Sequence, residues 1–487
     1  MEYYNPQLLF IHPTFFYQEP YHKDLFYRDF PLKALELSAI LKKNKKIKTH
    51  FLDLRFEKDL TKFFSKAKFN DQQFEKAFIK VLEKESIQDL QNVGIISTSS
   101  FEFLQIEKIS KIIKNNFPKI NIIVAGHHPS AVPNNFIEKS KNYDIIIEGK
   151  PEIAFLNLFT TSLLNKVKKR KKPFLIKPKD VFNLNDVPLP DYDTYLQKYK
   201  DKTELIFTIS ASEGCPFHCR FCKIPRTKFR NYSFVNFLER FENLQNLIMR
   251  WNYQNPKIGF LDQSFNSALL SNKILKYIIE RKLQDQYRFS CQTRIEIVSN
   301  HKNLLSLFKK AKMVVGYGFE SANKGILYEM RKTSNPTAYI KKMKEILEFY
   351  ENISEPYCRL NIIAGFPGEN NETFLDTIEF LETYALHPNV QINPTIYIND
   401  PNTYVYKNMD YYHKTFQSMF LKEWWKIDSD PLKNSIPLKS SKNYHRSQLV
   451  KDYVERYRNI LVKFKYSSIP SLINWKKYFG NWSKNLT

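Results

Sequence analysis

The chain has 487 residues, room for about three domains at roughly 150 residues each, and its 43% hydrophobic and 26% charged content excludes a collagen-like or wholly disordered chain. The formal charge of +25 raises the question of a nucleic-acid or membrane surface. The excess of Lys is spread along the whole sequence, however, and its densest runs, at 42–48 and 166–172, read as a solvated helix end and a loop, so nucleic acid is not expected as a partner.

Taken in order, the first third alternates short apolar runs with helical stretches. LLFIHP is followed by a helix over 32–43, THFLDL by a charged helical insert, and VGIISTSS by a helix over 101–116. INIIVAG, a helix near 134–139, DIIIEG and a helix over 152–164 complete the series. Buried Ile and Val runs alternating with helices predict a parallel, doubly wound, Rossmann-like sheet over residues 1–170. Pro188 and Pro190 forbid a helix interior, so 171–202 is expected to be an extended linker. The βα rhythm resumes with LIFTIS, KIGFLD, RFSCQTRIEI, KMVVGYGFE, YCRLNIIAGFPG and VQINPTIYI, separated by helical stretches. Six strands over residues 203–400 predict a partial (β/α)6 barrel, and an α/β fold for the chain as a whole. Residues 401–487, rich in Tyr, Trp and Lys, are expected to form a small helical region. The opening MEYYNPQLLFIHP lacks the features of a secretory signal, and no run reaches about 18 apolar residues, so a cytoplasmic protein without a transmembrane segment is expected.

Two scarce residue types mark the sites. Five cysteines are too few for a disulfide framework, and three of them, Cys215, Cys219 and Cys222, fall within eight residues, which points to metal binding or redox chemistry. Glycine occurs 11 times, and Gly126, Gly149 and Gly365 all stand at the ends of apolar runs, where ligands sit in α/β proteins. C-x3-C-x2-C after the first barrel strand can cap three irons of a four-iron cubane and leave the fourth open. Zinc is the competing reading. It needs four ligands, usually paired, but Cys291 lies 69 residues beyond Cys222 and His218 is too close to its neighbours to complete a tetrahedron. Strand parity puts Ser290, Gln292 and Arg294 on one face, opposite Cys291, and Arg359 with Asn361 opposite Cys358. The lumen is then polar, as suits a charged cofactor, and Cys291 and Cys358 are core residues.

With Phe221 before the last cysteine, these residues resemble the radical S-adenosylmethionine superfamily. The resemblance implies a 4Fe-4S cluster on Cys215, Cys219 and Cys222, S-adenosylmethionine on the open iron, and Phe221 near the adenine. Other motifs fit the family's order: Asp262 ending a strand, an arginine-bearing strand with Gln292 and Arg294, a GxES-like turn with Glu320 and Ser321, and a GxPGE turn at Gly365. These are the expected cofactor-binding positions of the barrel. The first domain resembles the cobalamin-binding domain of one large class of the superfamily, through the stretches containing Gly126, His127 and Ser130, and Gly149 and Glu152. Cobalamin is the implied third cofactor. D-x-H-x-x-G is absent, so neither His12, His127 nor His128 is assigned to cobalt by motif.

Together the resemblances imply a B12-dependent enzyme. Reductive cleavage of S-adenosylmethionine would give a 5'-deoxyadenosyl radical that activates a substrate carbon, for methyl transfer from methylcobalamin. Other radical chemistry (cyclisation, oxidation, or methylthiolation of RNA) is the enzymatic alternative, and a metal-binding module contacting nucleic acid the non-enzymatic one. A low-potential electron donor such as flavodoxin or ferredoxin is the implied partner. The substrate class stays open among small molecule, lipid, tetrapyrrole and peptide, and no catalytic residue is assigned.

Overall fold

The computed structural model describes residues 7–13, 30–45, 47–64, 71–138, 141–161, 163–164, 172–200, 206–224, 228–265, 268–300, 303–427 and 431–463. The chain divides into two compact units, residues 1–205 with 423–431, and residues 206–422 with 432–487.

The first unit is built on six parallel strands: β1 (Gln7–His12), β2 (Lys48–Asp53), β3 (Asn92–Ser97), β4 (Asn121–Gly126), β5 (Ile145–Ile147) and β6 (Phe174–Ile176). Their order is β2-β1-β3-β4-β5-β6. Such a sheet is covered on both faces, which is why its strands read as unbroken apolar runs; Leu8 to Ile11 and Ile122 to Ala125 are all buried. Strand order reverses between β1 and β3, and in open α/β sheets the crevice at that point, beyond the carboxyl ends of the strands, is where ligands bind. The charged insert is a helix, Asp71–Lys84, whose Phe74, Phe78, Val81 and Leu82 recur at three- and four-residue spacing and are buried.

The expected linker is instead part of this unit. Pro188 and Pro190 do lie outside helices, but β6 pairs with β5 along the sheet edge and Tyr192–Tyr199 is a helix capped by Asp191. The hydroxyl of Tyr195 donates to Asp53 Oδ2 at 2.7 Å, and the Asp53 amide donates to the hydroxyl of Tyr199 at 2.8 Å. These bonds fasten the helix to the end of β2. Proline excludes a helix only locally, and the helix begins just beyond Pro190.

The second unit holds β7 (Ile206–Ile209), the short antiparallel pair β8 (Ser212–Glu213) and β9 (Arg230–Asn231), then β10 (Lys257–Phe260), β11 (Arg288–Thr293), β12 (Val314–Glu320), β13 (Cys358–Ala364) and β14 (Val390–Ile396). The six longer strands form one parallel sheet in the order β14-β13-β12-β11-β10-β7, each beside its neighbour in sequence. The parallel strands and their sequential order agree with the expected α/β fold. Cys291 and Cys358 are buried in it as core residues.

The region after residue 400 differs from the expectation of a separate helical piece. It contributes a hairpin, β15 (Lys439–Ser441) and β16 (Tyr444–His445), and a helix, Arg446–Lys463, to the second unit. The Tyr453 hydroxyl donates to the Pro394 carbonyl at 2.9 Å. Residues 423–431 belong to the first unit. There the Trp425 indole N–H donates to Asn135 Oδ1 at 2.8 Å, its ring lies 5.1 Å from that of His128, and Trp424 lies 4.8 Å from Phe101. No helix among the described residues is long and apolar enough to cross a membrane.

Candidate functional site

The cysteine loop follows the carboxyl end of β7, where catalytic loops of β/α barrels stand. β8 and β9 close its base, with Ser212 opposite Asn231 and an ion pair between Glu213 and Arg230. Gly214 turns the chain into the loop at φ +81°. Beyond it, the Arg220 amide donates to the Met330 carbonyl at 2.9 Å, and the Arg220 guanidinium pairs with Glu329 and lies 5.1 Å from the Tyr404 ring. A loop of this length without strand pairing needs such outside anchors to hold one conformation.

The loop places the three thiols within electrostatic range of one another. Cys215, Cys219 and Cys222 are each partly exposed and free of disulfides. Burial raises the Cys215 thiol above its ordinary value and pushes Cys222 up to about 11, and each also feels the charge of Cys219. Two cations face the sulfurs. Arg294, just past β11, donates from Nη1 to Cys219 Sγ at 3.0 Å and stacks 3.9 Å above the Phe217 ring. Lys332 lowers the pKa of both Cys215 and Cys222 by its charge. Among the described residues no three His, Cys, Asp or Glu converge tightly enough for a single metal ion. Three sulfurs within charge range of one another, flanked by two cations, fit an anionic polynuclear iron–sulfur cluster in which each thiolate meets a different iron.

Around the thiols the other expected positions sort into distinct roles. Phe221 packs against the core formed by Ile326, Met330, Phe366, Tyr397, Val405 and Tyr412, with Lys332 Nζ 5.7 Å from its ring. Asp262 is buried and accepts from the Ala211 amide at 3.0 Å and from the Ser212 hydroxyl. Burial pushes its pKa up to about 6. Both oxygens are therefore engaged by the start of the cysteine loop. Glu320 sits at φ +72° and is ion-paired with the buried Lys332 at 2.9 Å. Ser321 is buried against the Thr377 hydroxyl at 3.1 Å, a packing role. Gly365, at φ +75°, donates its amide to the buried carboxyl of Glu369. Gln292 is exposed on the open sheet face.

In the first unit, β4 ends at Gly126 and Gly149 lies two residues past β5, with φ of +103° and +99°. A Cβ at Gly126 would strike the Ser97 carbonyl, whereas at Gly149 nothing lies within 4 Å. Gly149 thus leaves open space beside its backbone. Ser130 ties the two loops, donating to the Gly126 carbonyl at 2.5 Å and accepting from the Gly149 amide at 3.0 Å. His127 is half-buried at the start of the short helix His127–Ala131, while its neighbour His128 is buried and bonded to the Ser100 hydroxyl at 2.8 Å. Glu152 is held by Lys33 at 2.8 Å, which makes it a structural ion-pair partner. Ser130 thus joins the turns at Gly126 and Gly149, with open space beside the Gly149 backbone.

Lys332 escaped the sequence reading. It lies outside any strand, and only its burial among the loop, Glu320 and Phe221 distinguishes it from the many surface lysines.

Residues 209–381 match the sequence profile of the Radical SAM superfamily, and this part of the second unit is a radical SAM domain. The chain is 25% identical over 305 residues to an uncharacterized methyltransferase of Pyrococcus horikoshii, covering 59% of this chain and 63% of that protein. It is 23% identical over 281 residues to tRNA-2-methylthio-N(6)-dimethylallyladenosine synthase of Buchnera aphidicola subsp. Schizaphis graminum, covering 56% of this chain and 59% of that one. The chain is 25% identical over an alignment of 147 residues to the cobalamin-dependent radical SAM methyltransferase TokK of Streptomyces tokunonensis, covering 27% of this chain and 22% of that protein. The chain spans about three fifths of the length of the first two relatives. Among solved structures, coproporphyrinogen III oxidase (HemN) from Escherichia coli is similar at a TM-score of 0.36 and 10% identity, covering 55% of this chain and 56% of that one.

Proposed function

We propose that the protein is a radical S-adenosylmethionine enzyme that activates a substrate carbon by hydrogen abstraction, and that its finer activity is cobalamin-dependent methyl transfer to that carbon. The observation that carries the reading is the convergence of Cys215, Cys219 and Cys222 at the carboxyl end of β7, with Arg294 and Lys332 beside them. Cys215, Cys219 and Cys222 would hold a 4Fe-4S cluster there, which when bound would supply the electron needed for reductive cleavage of S-adenosylmethionine.

The chain's own residues supply position and charge. Cys215, Cys219 and Cys222 would hold three irons. Arg294 and Lys332 offset the negative charge of the site; Lys332 is itself oriented by Glu320. Asp262 fixes the entry to the loop through Ala211 and Ser212, and Glu369 fixes the turn at Gly365. The core around Phe221 shields one side of the loop from water, which protects a reactive radical from side reactions.

Two observations support the methyl-transfer reading: the open space beside the Gly149 backbone past the end of β5, and the similarity to relatives named as methyltransferases. Methylthiolation of RNA is the second reading, favoured by the synthase relatives. Against it stands the lack of any cysteine between residues 1 and 214 to hold a further cluster.

The test is anaerobic reconstitution with iron, sulfide, cobalamin, S-adenosylmethionine and a low-potential reductant, followed by mass spectrometry. 5'-Deoxyadenosine is expected from the wild type and not from Cys219→Ala, with S-adenosylhomocysteine appearing if methyl transfer occurs. Deoxyadenosine alone removes the methyl-transfer reading. A cluster-loaded, reduced sample that yields neither product removes the enzyme reading.

A further inference from the structure

In a closed β/α barrel the strands' inner face is filled by layers of bulky branched side chains. The open sheet of the second unit carries a different face. Parallel register aligns Gln292, Gly316, Arg359 and Gln391 in one row and Gly318, Asn361 and Asn393 in the next. Gln292, Arg359 and Asn393 are exposed, and Asn361 and Gln391 are half-buried. Glycine on β12 keeps the rows open: a Cβ at Gly316 would come within 3.3 Å of Gln292 Cγ and 3.7 Å of Asn361 Nδ2.

Arg359 is held in place within this face. Its Nε donates to Gln391 Oε1 at 3.1 Å and its Nη2 to the Tyr357 hydroxyl at 2.9 Å, and the guanidinium lies 5.6 Å from the Tyr357 ring. All of these partners are neutral. In the adjacent row Asn393 Nδ2 donates to Asn361 Oδ1 at 2.9 Å, which leaves polar atoms of both amides beside the cation. Arg288, two residues before Ser290 and four before Gln292, adds an exposed cation on the same parity. Among the described strand residues of this face the one carboxylate is Glu320, past the bulge in β12, and it is neutralised by Lys332. The face is therefore a preorganised cationic surface with hydrogen-bonding amides, and a guanidinium oriented by neutral groups is suited to bidentate binding of an oxyanion.

Its position separates this surface from the cluster site. Arg359 is the second residue of β13, at the opposite end of the strand from the rim where the cysteine loop stands. Five residues of strand at about 3.3 Å each put it about 16 Å below Ala364 at that rim.

We propose that Arg359, with Gln391 and the Asn361–Asn393 pair, binds an oxyanion of the substrate, a carboxylate or a phosphate, and so draws the remainder of the molecule up the open face toward the radical. The assignment of this oxyanion to the substrate rests on the radical reading above, but its test needs neither iron nor S-adenosylmethionine.

The full-length protein is titrated calorimetrically with succinate, inorganic phosphate and the neutral analogue succinamide. Succinate or phosphate is expected to bind in the millimolar range and succinamide not to bind. Arg359→Gln is expected to weaken the anion at least tenfold, and Gln391→Ala about threefold. Tighter succinate than phosphate assigns a carboxylate, and the reverse order a phosphate. Arg359 and Gln391 are not core residues, so both variants are expected to keep the wild-type melting temperature without anion, which separates lost binding from lost folding. Anion binding undiminished in Arg359→Gln, or no anion binding by the wild type, overturns the proposal. Deoxyadenosine formation by the wild type tests the radical reading by itself, so either claim can fail without the other.

Discussion

The Nη1 of Arg294 donates a hydrogen bond to the Sγ of Cys219 over 3.0 Å. The same guanidinium is braced by Glu296 at 2.9 Å, by the Lys332 carbonyl and by the Phe217 ring, so it has little freedom to turn away. A cation bonded to a thiolate stabilises the more negative of two redox states. With a cluster on Cys219, Arg294 therefore favours the reduced form. Arg294→Gln is expected to lower the cluster's reduction potential by about 50 mV, close to a tenfold change in a one-electron equilibrium. Arg294→Lys keeps the charge but loses the planar fork, and should fall between. A redox titration followed by electron paramagnetic resonance measures the shift; an unchanged or higher potential in Arg294→Gln would falsify the role.

Lys332 and Glu320 form a pair in which both side chains are nearly excluded from solvent. Removing one partner of such a pair leaves an uncompensated buried charge, at a cost of about 3–5 kcal/mol, while replacing both by apolar groups can be nearly neutral. Lys332→Met is expected to destabilise the iron-free protein by that amount. Lys332→Met with Glu320→Leu should recover more than half of it. Urea denaturation under reducing conditions distinguishes this from a pair of no consequence, for which the single and double variants would unfold alike.

The features legible in the sequence are those encoded locally. Ile122 to Ala125 announce a strand because four consecutive buried residues suit a sheet covered on both faces, and the cysteine triplet announces itself by spacing within one loop. Parity placed Arg359 and Asn361 opposite Cys358 and Leu360, and the burial pattern of β13 alternates in that way. What escaped depends on distant partners. Phe174–Ile176 is a three-residue edge strand, too short for any period to show, and exists because β5 offers it a free edge. Lys332 gains its meaning from a loop more than a hundred residues earlier. Trp425 bonds to Asn135 across 290 positions, so no local pattern could assign residues 423–431 to the first unit.

That last contact has a measurable consequence. Trp425 is buried against His128, beside Trp424, and its indole N–H is satisfied by Asn135. Trp425→Ala removes a large side chain from a packed site and leaves the Asn135 carbonyl oxygen without that donor, a change expected to cost about 3–5 kcal/mol. Trp425→Phe keeps most of the packing and should cost less. Hydrogen exchange read by mass spectrometry should show the loss of protection in Phe103–Asn116 and in residues 127–138, with β13 and β14 unaffected. Equal loss of protection in both units would contradict a contact local to the first.

Glu369 gives the second unit a pH dependence of definite sign. Its carboxyl is buried, accepts the Gly365 amide, and is pushed up to about 8 by loss of hydration, against 4.5 for an ordinary glutamate. Between these two values the folded protein holds a proton that the unfolded chain has released, so this group makes stability fall as pH rises from about 4.5 to about 8. Glu369→Gln keeps a carbonyl acceptor for the Gly365 amide but cannot ionise. The variant should match the wild type within about 1 kcal/mol at pH 5, where the native carboxyl is already neutral, and exceed it by roughly 2 kcal/mol or more at pH 8.5. Guanidinium denaturation at the two pH values provides the comparison. If Glu369→Gln lost the same stability at both, the carboxylate would have to be charged throughout, and burial would not be the dominant influence on it.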